Sequence, residues 1–219
     1  ISNALQELFG NELKSIFVID KSQNVKNAFY TYKIADLSLP IIIKENGNSF
    51  YINWEEGQKT GFYIDQRDNR KLLQRYVNGK TVLNMFCYTG AFSVYAAKGG
   101  ADKVISVDSS AEAIQLVHKN LELNQIDAKY NKPIKEEAIT YLNNMPKDYF
   151  DLIILDPPAF AKSIDARHNA IKGYKRINSV AIEKIKHNGI IFTFSCSQAV
   201  SPSQVEGAIM SAAIEQGRK

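Results

Sequence analysis

The sequence predicts an α/β fold: a Rossmann-like domain with a mainly parallel sheet, preceded by a small α+β region that contains a β-hairpin. Three observations predict it. From Lys80 onward, short apolar runs alternate with amphipathic helical stretches, the pattern of parallel strands joined by right-handed crossovers. Residues 150–155 (FDLIIL) form a nearly continuous apolar run, as a strand covered on both faces requires. Upstream, Asn46-Gly47 lies between the β-rich runs 39–44 and 49–54, and Asn-Gly in that setting marks a hairpin turn.

Each element has its own local reason. Residues 3–9 read as a short helix. Residues 81–86 (TVLNMF) form an apolar strand that ends in a turn at Tyr88-Thr89-Gly90. A helix over 91–97 follows, with Phe92, Tyr95 and Ala96 on one face. The run 103–107 (KVISV) is a second strand and ends on Asp108. Residues 111–124 carry Ile114, Val117 and Leu121 at helical spacing. A weaker strand over 128–131 and a short helix over 137–143 lead to the strand at 150–155. A helix over 174–185, a buried strand over 189–194 (GIIFTF) and a helix over 202–215 complete the chain. The change of pattern divides it into a small accessory region, residues 1–57, and the α/β domain, residues 58–219.

Composition excludes several classes. The chain has 219 residues, 45% of them hydrophobic, enough for a substantial core. No apolar run approaches the roughly 18 residues of a membrane span, and no basic segment followed by an apolar one opens the chain. Cys87 and Cys196 are the two cysteines, too few for a disulfide framework or a zinc site on their own. The expectation is a cytoplasmic protein with no membrane and no metal, and with a homodimer left open. The net charge of +4 is mild, but its placement is uneven. Residues 160–186 carry Lys162, Arg167, Lys172, Lys175, Arg176, Lys184 and Lys186 against Asp165 and Glu183, a local +5. Such a run reads either as a solvated face or as a grip for nucleic-acid phosphates.

Three motifs carry chemistry. A strand, a turn holding Thr89-Gly90, a helix and a second strand ending on Asp108 make half of a nucleotide crevice. Asp108 follows Gly90 by 18 residues, close to the spacing of about 20 at which an acid takes the ribose hydroxyls. The Gly-x-Gly-x-x-Gly cradle for a pyrophosphate is missing, which favours a nucleoside without phosphates, S-adenosylmethionine. The plainer reading is a doubly wound domain whose Asp108 caps the next helix. Second, Asp156-Pro157-Pro158-Ala159-Phe160 directly follows a buried strand. That position puts Asp156 at the crevice, with a proline-stiffened turn and Phe160 available to stack on a base removed from its helix. Third, Ser195-Cys196-Ser197 follows the last strand at the same edge. A thiolate there can add to carbon 6 of a pyrimidine and activate carbon 5, whereas most isolated cysteines are inert core. Cys87, in the cofactor-side turn, reads as pocket wall.

With these sites in order, the chain resembles class I S-adenosylmethionine-dependent RNA methyltransferases that form 5-methylcytosine in bacterial 23S ribosomal RNA. The stretches that carry the resemblance are residues 58–67 (QKTGFYIDQR), 84–92 (NMFCYTGAF), 156–160 (DPPAF) and 194–197 (FSCS). The resemblance implies roles for individual residues. Phe62, Asp65 and Arg67 belong to a stretch that closes over the cofactor. Phe86, Tyr88, Thr89, Gly90 and Ala91 surround its methionine part, and Asp108 takes its ribose. Glu137 stands where an Asp is usual near the adenine. Asp156 faces both cofactor and target base, and Cys196 is the attacking thiol. Pro157, Pro158, Phe160, Lys162, Lys172, Tyr174, Lys175 and Arg176 are expected on the RNA side. Family members begin with an RNA-binding domain of the PUA type and complete the sheet with two more strands, and neither is expected within these residues. Two other readings stay open: a guanine methyltransferase of the same fold, and a cofactor-free RNA-binding module in ribosome assembly.

Overall fold

The computed structural model describes residues 1–20, 27–33, 38–55, 61–161, 163 and 165–218. The described chain forms two compact units, one of residues 1–43 and 51–63, the other of residues 44–50 and 64–219. Sequence reading draws a single line at 57/58, whereas the smaller unit continues to residue 63 and the hairpin's turn end joins the larger one.

The smaller unit opens with α1 (Ser2–Phe9) and contains β1 (Ser15–Asp20) paired antiparallel with β2 (Asn27–Lys33). That pair is absent from the sequence expectation. A two-stranded sheet, β3 (Ile41–Glu45) with β4 (Asn48–Ile52), is the expected hairpin. Asn46 and Gly47 take φ of 49° and 83°, the left-handed pair that such a two-residue turn needs.

In the larger unit α2 (Arg67–Leu73) precedes the alternating elements: β5 (Thr81–Met85), α3 (Ala91–Lys98), β6 (Lys103–Asp108), α4 (Ala111–Leu123), β7 (Asn131–Lys135), α5 (Ala138–Asn144), β8 (Leu152–Leu155), α6 (Arg167–Lys184), β9 (Ile190–Thr193) and α7 (Pro202–Glu215). The five strands form one sheet in the order β7-β6-β5-β8-β9, and every neighbouring pair is parallel. β8 explains its own place. Its four side chains are fully buried, each worth roughly 1.5–3 kcal/mol of transfer from water. β9, expected as a buried strand, is half-exposed along its length, because it is the last strand of the sheet among the described residues.

Three further expectations shift. The weak strand at 128–131 lies instead at Asn131–Lys135. Its Pro133 argues against a central strand, but an edge strand tolerates the missing donor. α2 was not foreseen: its Arg70 is 98% buried in the middle of a charged run, paired with Glu45 by two hydrogen bonds of 2.8 Å. The Tyr95 hydroxyl donates to the same carboxylate at 2.9 Å. α6 begins seven residues before the expected start at 174. Gly173 hides that first part, since Gly weakens a helix interior, yet a Cβ there would stand 3.0 Å from the Phe160 ring.

Breaking a buried ion pair by removing one partner strands the other charge, at a typical cost of about 3–5 kcal/mol. Glu45→Ala should therefore lower the urea midpoint of unfolding by that equivalent. Glu45→Leu combined with Arg70→Met should recover most of the loss, and equal midpoints for the single and double variants would show that the pair is not what is being measured.

Candidate active site

Parallel strands present all their carboxyl ends at one edge, where ligands bind in open α/β sheets. The loops at that edge carry Glu137 after β7, Asp108 at the end of β6, residues 86–90 after β5, Asp156 after β8 and residues 195–197 after β9. The adjacency is direct. The Glu136 N–H donates to the Asp108 carbonyl at 3.0 Å, the Cys87 N–H to Val107 at 3.0 Å, and the Phe194 N–H to Leu155 at 2.9 Å.

The cofactor-side loop is held from below. Asn84 on β5, Ser93 on α3 and Ser106 on β6 form a buried chain, Asn84 Nδ2 to Ser93 Oγ at 2.8 Å and Ser93 Oγ to Ser106 Oγ at 2.7 Å. This fixes α3 over the two strands whose loops follow. Phe86, Tyr88 and Gly90 all take positive φ (56°, 47° and 76°), so the backbone turns back on itself at alternate residues. Gly90 is required twice, by its φ and because a Cβ would meet Val117 Cγ1 at 2.8 Å. Asn120 of α4 donates to the Thr89 carbonyl at 2.8 Å. Sequence reading missed Asn120, although it is a buried polar residue on the same α4 face as Val117 and Leu121.

Asp108 is half-buried, and its two oxygens each accept one backbone N–H, from Tyr88 and from Ser110, both at 2.9 Å. It is not the cap of α4. Ser110 is, accepting from Ala113 N at 3.1 Å. A carboxylate has about four acceptor positions, so two remain for hydroxyl donors. An acceptor-only group beside a loop with a single glycine suits the ribose of a nucleoside and offers no cradle to a pyrophosphate. The residues present therefore fit S-adenosylmethionine: Asp108 could hold a ribose, residues 86–91 adjoin it, and Glu137 is exposed at the same sheet edge. Asp65 and Arg67 are exposed at the start of α2. Phe62 is buried and belongs to the smaller unit.

The second half of the edge joins the other two motifs. Asp156 is half-buried and accepts from Gln66 Nε2 at 3.5 Å, a residue that sequence reading passed over beside Arg67. The Cys196 thiol is exposed and donates to the Pro157 carbonyl at 3.7 Å, which sets sulfur against the Asp-Pro-Pro loop. Cys87 differs in every respect. It is buried, and burial, with the Asp108 charge next, pushes its thiol well above the ordinary value.

On the expected RNA side the structure makes corrections. Tyr174 is fully buried and cannot touch RNA. Its ring packs on Phe160 at 4.8 Å, which leaves only part of Phe160 open to a base. Pro157 is buried and Pro158 exposed. Lys162 lies outside the described residues. Lys172 and Arg176 are exposed on α6, whereas Lys175 pairs with Glu215 and Arg167 donates to the Ala199 carbonyl at 2.7 Å. Lys184 and Lys186 lie at the opposite edge. A crossover helix returns the chain to the start of the next strand, and the Asp148 N–H donates to the Lys184 carbonyl at 2.9 Å there. Lys186 pairs with Asp151 at 2.9 Å. Burial raises the Asp151 carboxyl, but the Thr81 N–H and Lys186 outweigh it and hold it below the usual carboxylate range. The basic run is thus split, one end near the site and the other committed to the fold.

A parallel sheet with an acceptor carboxylate at this edge has the form of a nucleoside-binding domain. Residues 36–212 match the family model of S-adenosylmethionine-dependent methyltransferases, and the chain belongs to that family. It is 41% identical over 182 residues to the ribosomal RNA large subunit methyltransferase I of Aeromonas hydrophila, covering 82% of this chain and 46% of that protein. The chain thus spans about half the length of the curated relatives it matches. Among solved structures, a Streptococcus mutans chain described only by class, as a SAM-dependent methyltransferase, superposes with a TM-score of 0.84 at 29% identity, over 97% of this chain and 55% of that one. A second methyltransferase chain, solved in complex with SAH, superposes with a TM-score of 0.83 at 29% identity and the same coverage.

Two measurements check the site. Asp108→Asn removes the charge and replaces one acceptor oxygen with a donor facing one of the two N–H groups, so S-adenosylhomocysteine affinity should fall at least about tenfold by calorimetry, one lost charged hydrogen bond's worth. Brief iodoacetamide treatment at pH 8 should label Cys196 and spare Cys87, read by peptide mass spectrometry; a buried thiol held protonated is a poor nucleophile. Equal labelling of both would contradict the assigned environments.

Proposed function

We propose that this chain methylates carbon 5 of a cytosine in large-subunit (23S) ribosomal RNA, acting in the cytoplasm. The observation that carries the reading is the exposed Cys196 thiol within 3.7 Å of the Pro157 carbonyl, at the same sheet edge as the Asp108 crevice. The Asp108 loop and the Cys196 loop thus share one sheet edge. The named ribosomal RNA methyltransferases among the relatives support RNA as the substrate.

In this reading Asp156 accepts a hydrogen bond from the edge of the extruded base and orients it, with Pro157 and Pro158 fixing the loop. Cys196, having released its proton to solvent, bonds through Sγ to carbon 6 and opens the 5,6 double bond, so that carbon 5 becomes nucleophilic. S-adenosylmethionine, when bound, supplies the electrophilic methyl group. Cys196 leaves as thiolate once the carbon-5 proton passes to water, which restores the double bond. Holding thiol and base at one edge contributes through orientation, which can reach roughly 7–11 kcal/mol in well-placed pairs. Lys172 and Arg176, exposed on α6, supply charge for the RNA backbone, as does Lys162, two residues past the Asp-Pro-Pro-Ala-Phe stretch in sequence.

Cys196→Ala should abolish methylation of a large-subunit RNA transcript while S-adenosylhomocysteine affinity stays at the wild-type value. The wild-type chain should be trapped covalently on the same transcript made with 5-fluorocytidine, seen as a slow band in denaturing gels. Undiminished methylation by the variant would return Cys196 to a structural role and the target to another base.

A further inference from the structure

Tyr174 was expected at the RNA surface, and its burial removes it from there. Its hydroxyl is nevertheless not spent on packing. It lies 2.8 Å from Ser197 Oγ, the residue after Cys196, and either hydroxyl can donate. The Ala161 N–H, just past the Asp-Pro-Pro-Ala-Phe stretch, donates to the same Ser197 oxygen at 3.3 Å. All three residues are at least 95% buried. One hydroxyl pair therefore ties together α6, the loop that carries Asp156 and the loop that carries Cys196.

The loop needs such a tie. The β8–β9 ladder ends with the Phe194 N–H on Leu155, and residues 194–197 belong to neither strand nor helix. Past that point, bonds across to the neighbouring loop and to α6 include those of Ser197 Oγ, the Cys196 thiol on Pro157 and Arg167 on the Ala199 carbonyl. Ser197 is the one of these that adjoins the thiol in sequence and is itself buried.

We propose that Tyr174 is a positioning residue: through Ser197 it holds the Cys196 thiol at the distance from Asp156 that attack on the base requires. The inference rests on the reading of Cys196 as nucleophile. Tyr174 touches neither base nor cofactor, and its ring and its hydroxyl do separable work. The ring packs on Phe160, while the hydroxyl sets the loop.

Tyr174→Phe keeps the ring and removes the hydroxyl; Ser197→Ala removes the other partner. In the 219-residue chain, three readouts separate placement from general loosening. These are the turnover number with a large-subunit RNA transcript, the single-turnover rate of covalent capture on the 5-fluorocytidine transcript, and S-adenosylhomocysteine affinity by calorimetry. Misplacing a reacting group by about an ångström costs up to a hundredfold, so turnover and capture rate should each fall about 10- to 100-fold in either variant. Cofactor affinity should hold, and the double variant should be no slower than the worse single one, as for partners acting through one bond. Wild-type capture rates in both folded variants, or a loss matched in cofactor affinity, would overturn the assignment. If Tyr174→Phe fails to fold, Ser197→Ala alone decides in the same terms. Cys196→Ala distinguishes the two levels. Methylation surviving in it removes the nucleophile and this inference together, whereas its inactivity alongside wild-type capture by Tyr174→Phe removes the inference only.

Discussion

Parallel strands cannot be joined by tight turns, and from that constraint the rest of the larger unit follows. Each connection must carry the chain back along a helix, so every strand enters from one edge and leaves at the other. In the order β7-β6-β5-β8-β9, the five exits bring Glu137, Asp108, the 86–90 loop, Asp156 and Cys196 into one row. Residues about 70 positions apart in the chain, such as Phe86 and Asp156, come to lie at adjacent strand ends. The same constraint sends Lys184 and Lys186 to the far edge, where they bond the backbone and Asp151.

The site divides into two halves stabilised by different physics. On the cofactor side, buried polar groups satisfy one another beneath the loop, and the left-handed residues above them are tolerated because Asn120, Asp108 and Val107 hold the backbone on three sides. On the Cys196 side residues 194–197 belong to no strand or helix, and the Tyr174 and Ser197 hydroxyls supply the bonds that a ladder supplies elsewhere. Asp108 serves the cofactor side twice, as an acceptor for two loop N–H groups and as a charge that helps keep Cys87 protonated.

Much of this was legible in the residues because the chemistry directly follows buried apolar strands. VISV announces Asp108 and LIIL announces Asp156, since a run covered on both faces has only its end available to solvent. Cys87 follows a buried strand as well; what separates it from Cys196 in the sequence is its place in the turn beside Thr89-Gly90. What was not legible depends on direction around a helix and on distant partners. Lys172, Tyr174 and Lys175 lie within four positions, yet one is exposed, one buried and one paired with Glu215 on α7. Linear spacing without the packing partner cannot separate them. α2 was hidden for a similar reason: a buried Arg70 looks like surface until Glu45, 25 residues upstream, is seen beside it.

Gly173 and Phe160 share a single allotment of space between α6 and the loop after β8. Because a Cβ at 173 would stand 3.0 Å from the ring, the ring has to give by a few tenths of an ångström before residue 173 can gain a side chain. Alanine at 173 would gain helix propensity and would require a small displacement of the Phe160 ring. Phe160 ends the Asp-Pro-Pro-Ala-Phe stretch, so the history of a helix-interior glycine is bound to the shape of the loop that would meet the base.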